Sequence, residues 1–136
     1  MHLLDTDTLT YLHAGHPRVV KHLQELADPD IGTTLITKIE LLQGRFDFVL
    51  KANSGPQLLR APQLLARTEE LLAQIMIVPF DEAATEQLDR LRTIKRLRKI
   101  GRADILIASI ALAHQATLVT RNLRHFRQIP GLTVTN

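Results

Sequence analysis

ADILIASIALAHQATLVT, residues 103–120, decides the fold class of this chain. Its first part, Ala103–Gln115, is apolar almost all round, which predicts a buried helix. Its last part, Ala116–Thr120, is short and rich in β-branched residues, which predicts a strand. A buried helix that leads into a short apolar strand is typical of a parallel sheet covered by helices.

Other short apolar segments repeat this pattern along the chain. The further predicted strands are Met1–Leu4, Ile31–Ile36, Ile75–Val78 and, with the weakest pattern, Leu132–Thr135. Helical patterns lie between them: Thr8–Ala14, Arg18–Ala27, Thr37–Gly44, Gln57–Ala73 and a long helix capped by Asp81 that runs to Ile100. This alternation predicts an α/β sandwich with a mainly parallel sheet of four to five strands.

Length and composition limit the class of protein. The 136 residues fit one domain, which we expect to span residues 1–136, and 45% of them are hydrophobic. The absence of cysteine excludes disulfides and thiolate metal sites. No apolar run approaches the roughly 20 residues of a membrane span, and no signal-peptide pattern begins the chain. We therefore expect a cytoplasmic protein without membrane contact.

Polar side chains follow the predicted strands. Asp5 follows the first strand, Glu40 lies one helical turn after the second, and Asn122 follows the fourth. Asp104 lies in the first turn of the buried helix. Because ligands of parallel sheets bind beyond the carboxyl ends of the strands, we expect these groups to share one edge.

These polar residues have two interpretations. The structural alternatives are an N-cap at Asp5 or Asp7, a capping box from Thr37 to Glu40, a favourable helix N-terminus at Asp104 and an N-cap at Asn122. The functional interpretation is a metal site, since converging carboxylates repel one another and a divalent cation relieves that repulsion. Three acids without cysteine suit Mg²⁺ or Mn²⁺.

Five motifs follow one another along the chain, and three of them carry Asp5, Glu40 and Asp104. They are LLDTDTL at Leu3–Leu9, TKIELLQG at Thr37–Gly44, VPFDEAA at Val78–Ala84, ADILIASIAL at Ala103–Leu112 and LVTRNLRHFRQIPGL at Leu118–Leu132. The ordered set resembles the PIN-domain family, and specifically the VapC-type toxins of bacterial toxin–antitoxin pairs. The resemblance covers nearly the whole chain and implies a PIN-like three-layer sandwich.

The resemblance implies a Mg²⁺- or Mn²⁺-dependent endoribonuclease. Asp5, Glu40 and Asp104 match the three acids that the family uses for metal binding and catalysis. The chain departs from the family pattern at Asp7, where the family usually has asparagine. The family often has a fourth acid in or just after TRN, and the candidates there are Asn122 and His125.

RNA, an antitoxin protein and a second copy of the chain are the partners that the resemblance implies. Thr6 and Thr120 are candidates for orienting water or phosphate, and strand-end packing is their alternative. One tyrosine, four phenylalanines and no tryptophan leave few platforms for stacking bases. The candidates for binding the RNA backbone are Arg92, Lys95, Arg96, Lys99 and Arg121, for which a solvated helix face is the alternative.

Two other functions compete with a toxin nuclease. A PIN domain outside toxin systems would process RNA or bind it without cleavage. A receiver-type signalling domain also groups acids around Mg²⁺, with Asp81 as the possible phosphate acceptor. It would need a late lysine, and none follows Lys99.

Overall fold

The computed structural model describes all residues from Met1 to Asn136. Its strands are β1 (His2–Leu4), β2 (Ile31–Thr34), β3 (Met76–Val78), β4 (Thr117–Val119) and β5 (Thr133–Thr135). Its α-helices are α1 (Thr6–His13), α2 (Pro17–Leu26), α3 (Leu35–Lys51), α4 (Gly55–Gln74), α5 (Glu82–Arg92), α6 (Arg102–Ala113) and α7 (Leu123–Phe126). No helix is both long enough and apolar enough to cross a membrane.

The five strands form one parallel sheet in the order β3-β2-β1-β4-β5. Leu4, the last residue of β1, is paired with Thr33 on one side and Val119 on the other. The strands β2 and β3 approach closely at Gly32, where a Cβ atom would lie 2.6 Å from the Met76 carbonyl oxygen. The parallel α/β fold predicted from the sequence is confirmed, and the carboxyl ends of all strands share one edge.

Helices cover both faces of the sheet because successive strand residues point to opposite sides. Leu3 and Leu118 pack into a core with buried residues of α5, α6 and α7. Leu4 and Val119, their neighbours in sequence, pack into a second core with residues of α1 to α4. The sheet is therefore the middle layer of the predicted three-layer sandwich.

Helix α3 begins earlier and ends later than predicted. The Thr34 side chain caps it by accepting a hydrogen bond from the Thr37 backbone N–H at 3.2 Å. The predicted strand Ile31–Ile36 was therefore two residues too long, and the predicted helix start at Thr37 was wrong. The predicted stop at Gly44 was also wrong, because packing of α3 along α4 outweighs the roughly 1 kcal/mol that a helical glycine costs.

The predicted long helix up to Ile100 is divided in the structure. Helix α5 ends at Arg92, and the chain continues as a 3₁₀ helix over Lys95–Lys99. The apolar residues of this region are spaced three apart, which drifts around an α-helix but matches the three residues per turn of a 3₁₀ helix. Leu97 and Ile100 are thereby buried in the core.

Candidate active site

Asp5 lies at the edge of the sheet directly after β1 and is 7% exposed. Its Oδ1 atom accepts the Thr8 backbone N–H at 2.9 Å and so caps α1. Its Oδ2 atom accepts the Thr120 hydroxyl at 2.6 Å. The capping interpretation of Asp5 is confirmed, and the same bonds fix its carboxylate at the sheet edge.

Glu40 faces the same edge from the second turn of α3. Its Oε1 atom accepts the Thr6 hydroxyl at 2.6 Å. The predicted capping box was wrong, because the cap of α3 is Thr34 and Glu40 reaches across to α1. The Glu40 carboxylate thus lies at the sheet edge and does not cap its own helix.

Asp104 reaches the edge from the first turn of α6 and is half-buried. Burial is the main cause that raises the pKa of its carboxyl group, and the neighbouring His125 opposes that rise. The negative charges of Glu40, Asp5 and Asp7 raise the pKa of Asp104 further. Acids from separate elements therefore lie close enough to Asp104 to act on it electrostatically.

His125, on α7, lies beside Asp104. Its Nε2 atom is 3.7 Å from Asp104 Oδ2, and this buried nitrogen has no hydrogen-bond partner. Asn122 is exposed, and its side chain makes no capping hydrogen bond to α7, so the predicted side-chain cap was wrong. Of the two sequence candidates near TRN, the structure places His125 beside a site acid.

Three further predicted site residues have clear positions. Asp7 is exposed in the first turn of α1 and contributes charge to the site. The Thr6 and Thr120 hydroxyls are donated to Glu40 and Asp5, so both threonines position carboxylates. Contact of either hydroxyl with water or phosphate stays a prediction.

The donor atoms at this edge have the chemistry of a site for a hard divalent cation. They are carboxylate oxygens with one imidazole nitrogen, and no lysine or arginine forms an ion pair with Asp5, Glu40 or Asp104. The chemistry fits Mg²⁺ or Mn²⁺. No three of the acidic or histidine side chains are arranged to hold one ion, so shared coordination by these acids stays a prediction.

The predicted RNA-binding residues lie in two places. Lys95, Arg96 and Lys99 are exposed on the 3₁₀ helix that leads into α6, and Arg92 is exposed at the end of α5. Arg121 is exposed directly after the buried Thr120, on the Asp5 side of the site. Lys99 is therefore five residues before Asp104 along the chain, and Arg121 directly follows the threonine that binds Asp5.

Comparison with known proteins adds a family and several relatives. The family model described as "PIN domain" matches residues 2–132. The chain is 30% identical to "Ribonuclease VapC2" of Rickettsia felis over 100% of its own length and 97% of that protein. It is 24% identical to the "tRNA(fMet)-specific endonuclease VapC" of Salmonella typhimurium over 97% of its own length and 94% of that protein.

A solved structure agrees with the fold. It is "VapBC2 from Rickettsia felis bound to a DNA fragment from their promoter", and the matching chain has a TM-score of 0.81 at 30% identity. The match covers 99% of the present chain and 97% of the other. Fold and sequence therefore agree over nearly the full length.

Proposed function

Since the chain belongs to the PIN-domain family, we propose that it is a metal-dependent endoribonuclease and the toxin of a toxin–antitoxin pair. One observation carries the proposal: Asp5, Glu40 and Asp104 come from separate elements to one edge of the sheet, where the Thr120 and Thr6 hydroxyls hold the first two carboxylates. The names of the relatives, ribonuclease and tRNA-specific endonuclease, support RNA as the substrate. The family match leaves the receiver-type alternative without support.

The three acids are the residues that would hold the cation. A bound divalent cation would lower the pKa of a water molecule that it binds, and it would neutralise the negative charge that develops on a phosphodiester during cleavage. The Thr120 and Thr6 hydroxyls fix the rotamers of Asp5 and Glu40, so two of the ligands are preorganised. The Nε2 atom of His125 has no hydrogen-bond partner and would be a further metal ligand beside Asp104.

Cleavage of a labelled tRNA pool by the purified protein tests the proposal. We expect cleavage with Mg²⁺ or Mn²⁺ and none in EDTA. Glu40→Gln and Asp104→Asn should each lower the cleavage rate by more than about 100-fold, because each removes a charged ligand. Asp89→Asn, which changes an exposed acid on α5, is the matched control and should retain the rate. Undiminished cleavage in EDTA would overturn the metal mechanism.

The proposed partner is a cognate antitoxin. A similar solved chain, with a TM-score of 0.72 at 25% identity, belongs to a "Toxin-antitoxin complex from Klebsiella pneumoniae". The present chain exposes large apolar side chains where α3 ends and α4 begins. Leu50 is 81% exposed and Leu59 is 72% exposed, and such a patch typically marks a protein interface. We propose that an apolar segment of the antitoxin covers this patch.

Serine substitutions separate antitoxin binding from self-association. Leu50→Ser and Leu59→Ser should weaken antitoxin binding without lowering the melting temperature, because both side chains are exposed. Light scattering at micromolar concentration tests the homodimer. If the two variants instead convert a dimer to a monomer and retain antitoxin affinity, the patch is a self-association surface.

A further inference from the structure

A concave pocket lies beside the active site, between α1, α2 and the end of β4. Its volume is about 280 Å³, and its lining includes Tyr11, His16, Arg18, His22 and Arg121. No aspartate or glutamate lines it. Neither arginine has a carboxylate within 4.0 Å, so their charges are available to an anionic ligand.

The pocket shares its wall with the active site. Thr8 lines the pocket, its backbone N–H binds Asp5 Oδ1, and its hydroxyl donates to the Val119 carbonyl oxygen at 3.2 Å. Arg121 directly follows Thr120, whose hydroxyl binds the other oxygen of Asp5. A ligand in this pocket would therefore lie next to the proposed cleavage site.

Flat side chains in the pocket provide a stacking surface. The Arg121 guanidinium lies over the Tyr11 ring, 5.0 Å from its centroid, and the His16 ring meets Tyr11 edge-on with centroids 5.6 Å apart. Nucleic-acid bases stack on aromatic rings and on arginine planes. Tyr11 is the only tyrosine of the chain, and it lines this pocket together with Arg121 and His16.

Helix α2 adds positive potential to the pocket. Arg18 lies in its first turn, which contains no acidic residue, and the N-cap His16 makes no side-chain capping bond. Helix N-termini attract phosphate groups, and an arginine there reinforces the attraction. The Arg18 side chain and the Tyr11 ring therefore line the same pocket.

We propose that this pocket binds one nucleotide of the RNA next to the cleaved bond, with its base against Tyr11 and Arg121 and a phosphate at Arg18. The proposal rests on the proposed endoribonuclease function. The volume of about 280 Å³ lies at the lower end of the roughly 300–1,000 Å³ of typical small-molecule sites, so the pocket is too small for a peptide helix. The two arginines of the lining favour a phosphate-bearing ligand, since guanidinium groups bind phosphate strongly.

Tyr11 fluorescence tests the proposal directly, because the chain has one tyrosine and no tryptophan. The protein is titrated in EDTA with AMP, UMP and ribose 5-phosphate, and N-acetyltyrosinamide corrects for absorption by the bases. We expect saturable quenching by at least one nucleotide and weaker binding of ribose 5-phosphate. No saturable quenching, or equal affinity for ribose 5-phosphate, would overturn the proposal.

Arginine variants locate the binding. Arg18→Gln and Arg121→Gln should each weaken nucleotide affinity by roughly tenfold, the loss expected for one charge-assisted hydrogen bond. Arg60→Gln removes an exposed arginine on α4, outside the pocket, and should change the affinity by less than about twofold. An equal loss of nucleotide affinity in all three variants would mean that the net charge of the protein, and not this pocket, determines binding, and it would overturn the proposal. If the pocket variants retain nucleotide affinity and lose antitoxin affinity, the pocket binds protein and the proposal fails.

Cleavage measurements distinguish this pocket from the nuclease assignment. Asp104→Asn should lose cleavage and retain nucleotide quenching, whereas the Arg18 and Arg121 variants should raise the KM for RNA. Quenching without any cleavage by the wild type would support the pocket and overturn the nuclease. Metal-dependent cleavage with an unchanged KM in both arginine variants would support the nuclease and overturn the pocket.

Discussion

Thr120 donates its hydroxyl to Asp5 Oδ2 at 2.6 Å and thereby joins the ends of the neighbouring strands β4 and β1. The other oxygen of Asp5 accepts the Thr8 N–H at 2.9 Å. One nearly buried carboxylate thus caps a helix, links two strands and faces the proposed metal site. Structural and functional roles of Asp5 cannot be separated by substituting that residue alone, so Thr120 is the better probe.

Thr120→Val keeps the shape of a fully buried side chain and removes two hydrogen bonds, the one donated to Asp5 and the one accepted from the Asn122 backbone N–H at 3.0 Å. We expect the free energy of unfolding to fall by about 1–3 kcal/mol, because a buried carboxylate oxygen loses its donor and the Asn122 N–H loses its acceptor. Affinity for Mn²⁺ should fall as well, since Asp5 is no longer held in place. Urea unfolding and calorimetric Mn²⁺ titration measure the two effects. Thr117→Val at the start of β4 is the control, and equal behaviour of the two variants would contradict the positioning role.

Asp104→Asn should stabilise the metal-free protein at neutral pH. Burial raises the pKa of Asp104 above 3.8, so the folded state binds the Asp104 proton more tightly than the unfolded state does. Stability is therefore lost as pH rises from the unfolded pKa of 3.8 through the higher folded pKa. The amide is neutral at every pH and avoids this loss. We expect a melting temperature a few degrees above that of the wild type at neutral pH, and no difference below about pH 3. A lower melting temperature at neutral pH would contradict this prediction.

Asp28 should stabilise the protein most above its unfolded pKa. The hydrogen bond with His2 Nδ1 at 2.5 Å is the main cause that lowers the pKa of Asp28 from 3.8 to about 2. Its contribution is therefore complete above 3.8 and is lost as pH falls towards 2. Asp28→Asn should lower the melting temperature at pH 6 and reduce its dependence on pH between about 4 and 2. Asp30→Asn, an exposed neighbour, is the control, and an identical acid profile in both variants would reject the role of Asp28.

The exposed lysines of the 3₁₀ helix should contribute to RNA affinity without sequence preference. Lys95→Gln and Lys99→Gln are expected to weaken binding of many RNAs alike, and the slope of log affinity against log salt should fall by roughly 0.7 for each lost contact with a single strand. Lys51→Gln, at the end of α3, is the control. Arg96 is a poorer probe because its guanidinium also donates to the Gln128 carbonyl oxygen at 3.2 Å. Unchanged affinity and slope would make this segment a solvated surface.

The sequence predicted what depends on local pattern and missed what depends on packing. Strand order along the chain and the Asp81 cap, which accepts the Ala84 N–H at 3.0 Å, follow from neighbouring residues. Passage of α3 through Gly44 follows from its contact with α4, which no local rule contains. Whether Asn122 or His125 lies beside Asp104 likewise depends on how α7 is oriented against α6, which the sequence pattern does not contain. Coordination of one ion by three acids depends on approach distances that residue types do not encode.

The strands that place the site are only three or four residues long, which makes chain length itself a constraint. One residue inserted into β1 would reverse the faces of the residues that follow and turn Asp5 away from Thr120. Insertions and deletions near this edge should therefore be lost from functional descendants even where substitutions survive. The short connection from Ala52 to Ser54, at the far end of α3, should vary freely in length.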